Sequence, residues 1–376
     1  MKNTGELYRF EIRKILKNRL TIAMLAVTVI FIIIEAFIPR LYMSEGPADS
    51  RMELDGAVID EALLQEMYPR LIDNGTVWTA ENSRYKDIAD MEKGILPNNA
   101  VISDYSADEM YRIREESIIS GMEDDKLTDG ELAWWKSRLS LVEVPFTYRC
   151  FQGAVNIAQG MSLTLMCIML ISAICLSTVF TVEHRNRTDQ IVMSCRNGRG
   201  TTYFAKMAAG LSVVTGCCIF SAALLTALVA ALYGLGGLNG AVQLELPWSA
   251  YPFTFGRFIL IQMIVLLSAS VLFAAFAMAM SEIIKNSLAV TGIMIGLFIF
   301  SQLELIPPQY RVLAQIKSML PSNQISLWSL MEHRLVGFDG HFVTSYVASP
   351  VIYVIISVIF IISGKIAFDR FQVTGR

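Results

Sequence analysis

Six stretches of this chain are each apolar enough and long enough to cross a lipid bilayer, and nothing else in it restricts the fold as much. The hydrocarbon core of a bilayer is about 30 Å thick and a helix rises about 1.5 Å per residue, so roughly 20 apolar residues span it. The qualifying stretches are 20–39, 157–182, 207–234, 258–280, 287–305 and 350–367. In lipid every backbone N–H and C=O must find a partner within the protein, which makes such runs helices. The expectation is an all-α polytopic membrane protein with six transmembrane helices. Hydrophobic residues make up 54% of the 376 and charged residues only 17%, a balance that excludes a soluble globular enzyme. The first run leads into Phe37-Ile38-Pro39-Arg40 rather than a small-residue cleavage site, so it is expected to stay as a span and not to be removed as a signal.

Charge divides the chain into two parts. Residues 41–150 carry 11 Lys and Arg against 23 Asp and Glu, a net of −12, while the remainder carries 20 against 11, a net of +9. The basic residues gather in short segments. Lys2, Arg9, Arg13, Lys14, Lys17 and Arg19 precede the first span; Arg185, Arg187, Arg196, Arg199 and Lys206 lie between the second and third. Lys285 sits between the fourth and fifth, and Lys365, Arg370 and Arg376 follow the sixth. Positive charge on alternate connections places them in the cytoplasm, together with both termini. The acidic segment, 40–156, is then extracytoplasmic.

That segment is too long for a bare loop. Val58, Ile59, Leu63, Leu64, Met67 and Leu71 recur at helical spacing, and Ser106-Ala107-Asp108-Glu109 has the form of a capping box. Thr128-Asp129-Gly130-Glu131 starts another helix that carries Trp134 and Trp135. A mainly helical domain between helices 1 and 2 is expected, either as a ligand-binding module or as a solvated cap. Gly5–Asn18, within residues 1–19, reads as an amphipathic surface helix with Leu7, Phe10, Ile15 and Leu16 on one face and its lysines toward anionic headgroups. A cytoplasmic extension of the first span fits the same periodicity. In the outer connection 306–349, Pro307-Pro308 ends the fifth span and Leu320-Pro321-Ser322 precedes an apolar stretch, 325–335, too short to cross; it reads as a re-entrant or interfacial helix.

Catalytic and metal chemistry is missing from the pattern. Four of the six cysteines (Cys167, Cys175, Cys217 and Cys218) fall inside apolar runs, no C-x-x-C occurs, and His184, His333 and His341 lack metal-ligand spacing. No phosphate-binding loop, nucleophile elbow or zinc-protease motif is present. Glu35 and Glu304 lie at span ends, and the spans otherwise hold only isolated polar residues such as Gln262, Ser268, Ser270, Thr291 and Gln302. Ion-coupled carriers need ionisable groups or broken helices at mid-depth, so transport powered by this chain alone is disfavoured. Neither a cofactor, a metal nor nucleic acid is expected as a partner.

The stretch 180–206 is the most informative. A charged helix end with Glu183 and Arg187 is followed by Thr188, an apolar piece around Ile191, then Ser194, a Gly-rich turn at Arg199, and Ala205-Lys206. Together with Phe180, this layout resembles the permeases of ABC-2 type ATP-binding-cassette transporters, as do the six-span order, the basic surface helix and the Leu320-Pro321 segment. Residue 195 is Cys where many members have Pro or a small residue.

The resemblance implies a permease in a bacterial cell membrane that exports a hydrophobic or amphipathic substrate. ATP and Mg²⁺ are then bound by a separate ATPase subunit. Glu183, Arg187, Thr188, Ile191, Ser194, Arg199 and Lys206 are the implied docking and coupling residues, and the partner is a second copy or a sister permease. Gly292-Ile293-Met294-Ile295-Gly296 offers Gly292 and Gly296 for close helix packing. A different class of function, a non-transporting sensor or assembly factor that uses the outer domain, fits the same spans.

Overall fold

A computed structural model describes residues 2–42, 51–72, 83–97, 100–125, 127–186, 200–303, 310–338 and 341–370. Helices dominate. In chain order they are α1 (Lys2–Leu16), α2 (Arg19–Tyr42), α3 (Glu61–Ile72), α4 (Lys86–Ile95), α5 (Ala107–Asp124), α6 (Asp129–Leu139), α7 (Gln152–Ile171), α8 (Thr178–Asn186), α9 (Gly200–Tyr233), α10 (Phe255–Ile284), α11 (Ser287–Gln302), α12 (Arg311–Ser318), α13 (Pro321–Gln324) and α14 (Ser345–Arg370). A π-helical turn, Ser172–Leu176, joins α7 to α8 as one long span.

Among the described residues, five helices are long and apolar enough to cross a membrane: Arg19–Pro39, Gln152–Glu183, Gly200–Tyr233, Phe255–Ile284 and Ser345–Arg370. The expected run 287–305 is helical only over the 16 residues of α11, about 24 Å of rise and so short of a full crossing. It stops because Leu303 turns to an extended conformation (φ −81°, ψ 132°); Pro307-Pro308 lies outside the described residues. The turn into α11 is built from two local choices. Lys285 takes a left-handed conformation at φ 59° and ends α10. Asn286 then caps α11, its Oδ1 accepting from the N–H groups of Leu288 and Ala289 at 3.0 and 3.3 Å.

The span α7–α8 is the most enclosed and lies at the centre, against α2, α9 and α10. Small residues allow this approach. A Cβ on Gly160 would stand 2.7 Å from Leu225 Cδ2, and one on Gly210 would overlap the Met278 sulfur. On α10, Ala274, Ala275, Ala277 and Ala279 are buried where α14 and its neighbours close in. Without a hydrophobic driving force between helices in lipid, such close van der Waals contact is what holds spans together. The isolated polar residues of the spans serve the same end. Gln262 donates to the carbonyls of Ala158 (3.0 Å) and Ile325 (2.6 Å), and Thr291 donates to the Ala173 carbonyl inside the π turn (2.7 Å).

The acidic segment forms a helical domain at one end of the spans. Ser106 Oγ accepts from Glu109 N–H at 3.3 Å. At Thr128 both halves of a capping box are made with Glu131. The chain ends of the domain are tied by an antiparallel bridge, Val58 to Thr147, reinforced by Ile59 N–H to Phe146 O at 2.8 Å. Tyr111 locks this seam, donating to Ile59 O (2.9 Å) and accepting from Phe146 N–H (3.0 Å).

Contacts among the described residues fix the domain on the span ends. Arg114 donates to the carbonyls of Pro247 and Ser249, buried Trp135 donates to His333 O at 2.7 Å, and Arg311 pairs with Glu131 at 2.5 Å. The stretch 325–335, expected as one re-entrant or interfacial helix, instead holds a 3-10 turn (Leu327–Met331) leading to a hairpin. Its strands β1 (Leu335–Phe338) and β2 (His341–Thr344) pair antiparallel, Leu335 with Thr344 and Val336 with Val343. The β-branched Val336, Val343 and Thr344 favour the sheet, and the Asp339-Gly340 dipeptide between them in sequence is a hairpin-turn signal.

Candidate coupling site

At the end of the spans away from this domain, three elements converge on one carboxylate. The first is α1, which lies along α9, with Tyr8 donating to Ser212 Oγ at 2.8 Å. Its inward residues are Tyr8, Glu11, Ile12 and Ile15, whereas Phe10 and Leu16, expected on the apolar face, are exposed. The expected face is corrected: packing on α9 selects the one containing Glu11 and Ile15. The consequence falls on Lys14. Rather than reaching toward headgroups, its ammonium donates to Glu183 Oε1 at 2.8 Å and stands 3.6 Å from Glu11 Oε2.

Glu183 closes the central span, and its second oxygen accepts from Lys206 of α9. Lys206 is only 1% exposed and its ammonium lies 5.2 Å from the centre of the Phe180 ring. Phe180 in turn stacks on Tyr203 at 5.6 Å, and both rings meet Phe368 of α14. Tyr203 donates to Ile361 O at 2.7 Å. One carboxylate thus joins α1, the α7–α8 span and α9, with an aromatic cluster carrying the contact to α14. The electrostatics are consistent: burial pulls the Lys14 ammonium toward neutrality, but the hydrogen bond and charge of Glu183 outweigh it and hold Lys14 above the ordinary lysine range.

A model of the ABC-2 family transporter protein matches residues 6–371, nearly the whole chain. The chain belongs to the ABC-2 transporter family. It is accordingly a multi-pass membrane permease of an ABC transporter, and permeases of this family work with an ATPase subunit in a lipid bilayer. A search of curated proteins finds no match to the chain.

Of the residues implied for docking, the structure brings Glu183 and Lys206 together, with Lys206 turned inward rather than presented to a partner. Arg187, Thr188, Ile191, Ser194 and Arg199 lie outside the described residues. Gly292 and Gly296 of the permease face open space: a Cβ on either meets nothing within 4 Å. Within this chain the close packing falls on Gly160 and Gly210 instead, because α11 turns its glycines away from the bundle.

Lys14 and Glu11 were not singled out as site residues by the sequence. Their i,i+3 spacing on a basic helix was the available signal, but it does not say which distant carboxylate the lysine will meet. Fold alone supplies that.

Proposed function

We propose that this permease exports a hydrophobic or amphipathic substrate across a bacterial cell membrane, driven by ATP hydrolysis in a separate subunit. In this reading α1 and segment 183–206 face the cytoplasm, and the domain within residues 40–156 lies outside. The chain supplies no catalytic residue and holds no cofactor of its own; ATP and Mg²⁺ belong to the ATPase. Two permease halves, either two copies or a sister pair, frame the pathway.

The observation that carries the reading is the three-way junction at Glu183. It stands at the root of segment 187–199, where the family's motif places the ATPase contact, and it ties that root to α9 through the buried Lys206 and to α1 through the part-exposed Lys14. A push on the segment therefore acts on two spans and a surface helix together. An ATP-driven shift between inward- and outward-facing states needs such a rigid connection, because a ligand moves an equilibrium only through contacts that differ between the two states.

The test is Ile191→Asp, which places a charge in the apolar piece of the segment. Recovery of the ABC ATPase with the affinity-purified permease should fall at least ten-fold while insertion and yield of the permease persist. Undiminished co-purification and full ATP-dependent export would overturn the proposal. Deleting residues 50–140 separates the alternative class: a sensor loses its response, whereas a permease keeps ATPase coupling.

A further inference from the structure

An apolar cavity lies at the domain end of the spans, about 490 Å³ between α10, α11, α14 and the short helices α12 and α13. That volume is within the range of small-molecule sites. Its floor is aromatic: Phe273, Phe276, Phe298 and Phe360 line it, with Phe276 and Phe360 edge to face at 4.9 Å. The polar groups of the wall are already engaged. Ser301 donates to Phe298 O at 2.6 Å and shares a 2.7 Å hydrogen bond with Ser322. A hydrogen-bonding solute therefore gains little inside.

One charge lines the chamber, Lys317 at the end of α12. Among the described residues no carboxylate stands within ion-pair distance of its ammonium. The neighbouring Arg311 differs, being paired with Glu131. The cavity also opens sideways, since Leu297 is 56% exposed and Ile316 57%. In a membrane-embedded chain that side faces lipid, so the occupant enters from the bilayer rather than from water.

An apolar chamber of this size, with one cation at its rim that meets no carboxylate among the described residues, matches a molecule with a long alkyl chain and a negative head. We propose that the cavity holds an acyl chain of an anionic phospholipid from the surrounding bilayer, with the headgroup against the Lys317 ammonium. The site needs only that the chain spans a membrane. It stands whether or not the ATPase reading does.

The experiment uses the full-length protein in nanodiscs of equimolar phosphatidylglycerol and phosphatidylcholine, with retained lipid counted by native mass spectrometry. Wild type should retain phosphatidylglycerol over phosphatidylcholine about five-fold, the size expected of one lysine near an anionic headgroup. Lys317→Ala should bring that ratio to about one, and Lys317→Arg should preserve it. Leu297→Trp, on the exposed side, should fill the chamber and lower retention of both lipids at an unchanged thermal midpoint. A wild-type ratio near one means that only the general annulus was sampled, and it overturns the proposal. So does a five-fold ratio that survives Lys317→Ala, which is what a lysine merely extended to the interface predicts, or a Leu297→Trp variant that retains as much lipid as wild type.

Discussion

Replacing Glu183 by Gln is the sharpest perturbation of the junction, because shape is kept and only charge is lost. The Lys206 ammonium, 1% exposed, is left without its anion, and Lys14 loses its 2.8 Å partner. Removing one member of a buried ion pair costs about 3–5 kcal/mol. Two effects reduce this. The Gln oxygen still accepts one hydrogen bond, about 1 kcal/mol, and the Glu183 side chain is 15% exposed, so some water reaches the site. A net loss of about 2 kcal/mol follows.

Lys206→Met should cost less, since it removes the buried cation, fills the space beside Phe180, and leaves Glu183 paired with Lys14. The double variant should then recover part of the Glu183→Gln loss, with a coupling of about 1–2 kcal/mol between the two sites. Thermal unfolding of the detergent-solubilised protein reads all three variants. The reasoning fails if Glu183→Gln is as stable as wild type, or if the losses of the two single changes simply add.

Three further expectations are independent of that cycle. Burial raises the Glu92 carboxyl to about 7 despite a 2.6 Å hydrogen bond from Tyr68 that works the other way. Folding therefore favours the protonated form: stability from this group is complete below its unfolded value near 4.5 and is lost as pH climbs through about 7. The swing is about 3 kcal/mol, so the protection of α4 amides against hydrogen exchange, corrected for the base-catalysed intrinsic rate, should fall between pH 4.5 and 7, and Glu92→Gln should remove most of that fall. Trp135→Phe keeps the ring but drops the 2.7 Å bond to His333 O, which should cost about 1 kcal/mol and speed exchange at α6, with α9 unaffected. Gly210→Leu drives a side chain into Met278 and should destabilise by about 1–3 kcal/mol in thermal unfolding. Gly292→Leu, facing open space, should stay within about 0.5 kcal/mol for the detergent-solubilised single chain.

Hydrophobic runs were legible in the sequence because lipid imposes length and composition together, and the five long helices fall on five of the six runs. The remaining run, 287–305, is helical over 16 residues among those described. Its composition continues past Gln302, but a helix ends where backbone geometry turns, and Leu303 gives no compositional sign of that. The hairpin at Leu335–Thr344 was hidden for a related reason. Short apolar stretches do not distinguish helix from strand by periodicity, and the valines with the Asp-Gly between them were the better guide.

The site was legible only by half, and the reason lies in what periodicity can express. Glu183 and Lys206 stand at two span ends, where a charge invites notice. Their mutual contact depends on how the two helices that carry them are staggered, which small residues set: Gly160, far from the charges, and Gly210, one turn from Lys206. Lys14 adds a third, unlinked element. Its inward turn follows from Glu11 and Ile15 being buried against α9, and that choice belongs to packing rather than to pattern. The glycines at 292 and 296 make the complementary point. A small-residue motif states that close approach is possible, and the chain itself exercises that option elsewhere. If a second permease copy does cover that face of α11, Gly292→Leu should leave the single chain's unfolding unchanged yet weaken pairing in the membrane. Equal pairing of Gly292→Leu and wild type would place the contact between copies on another face.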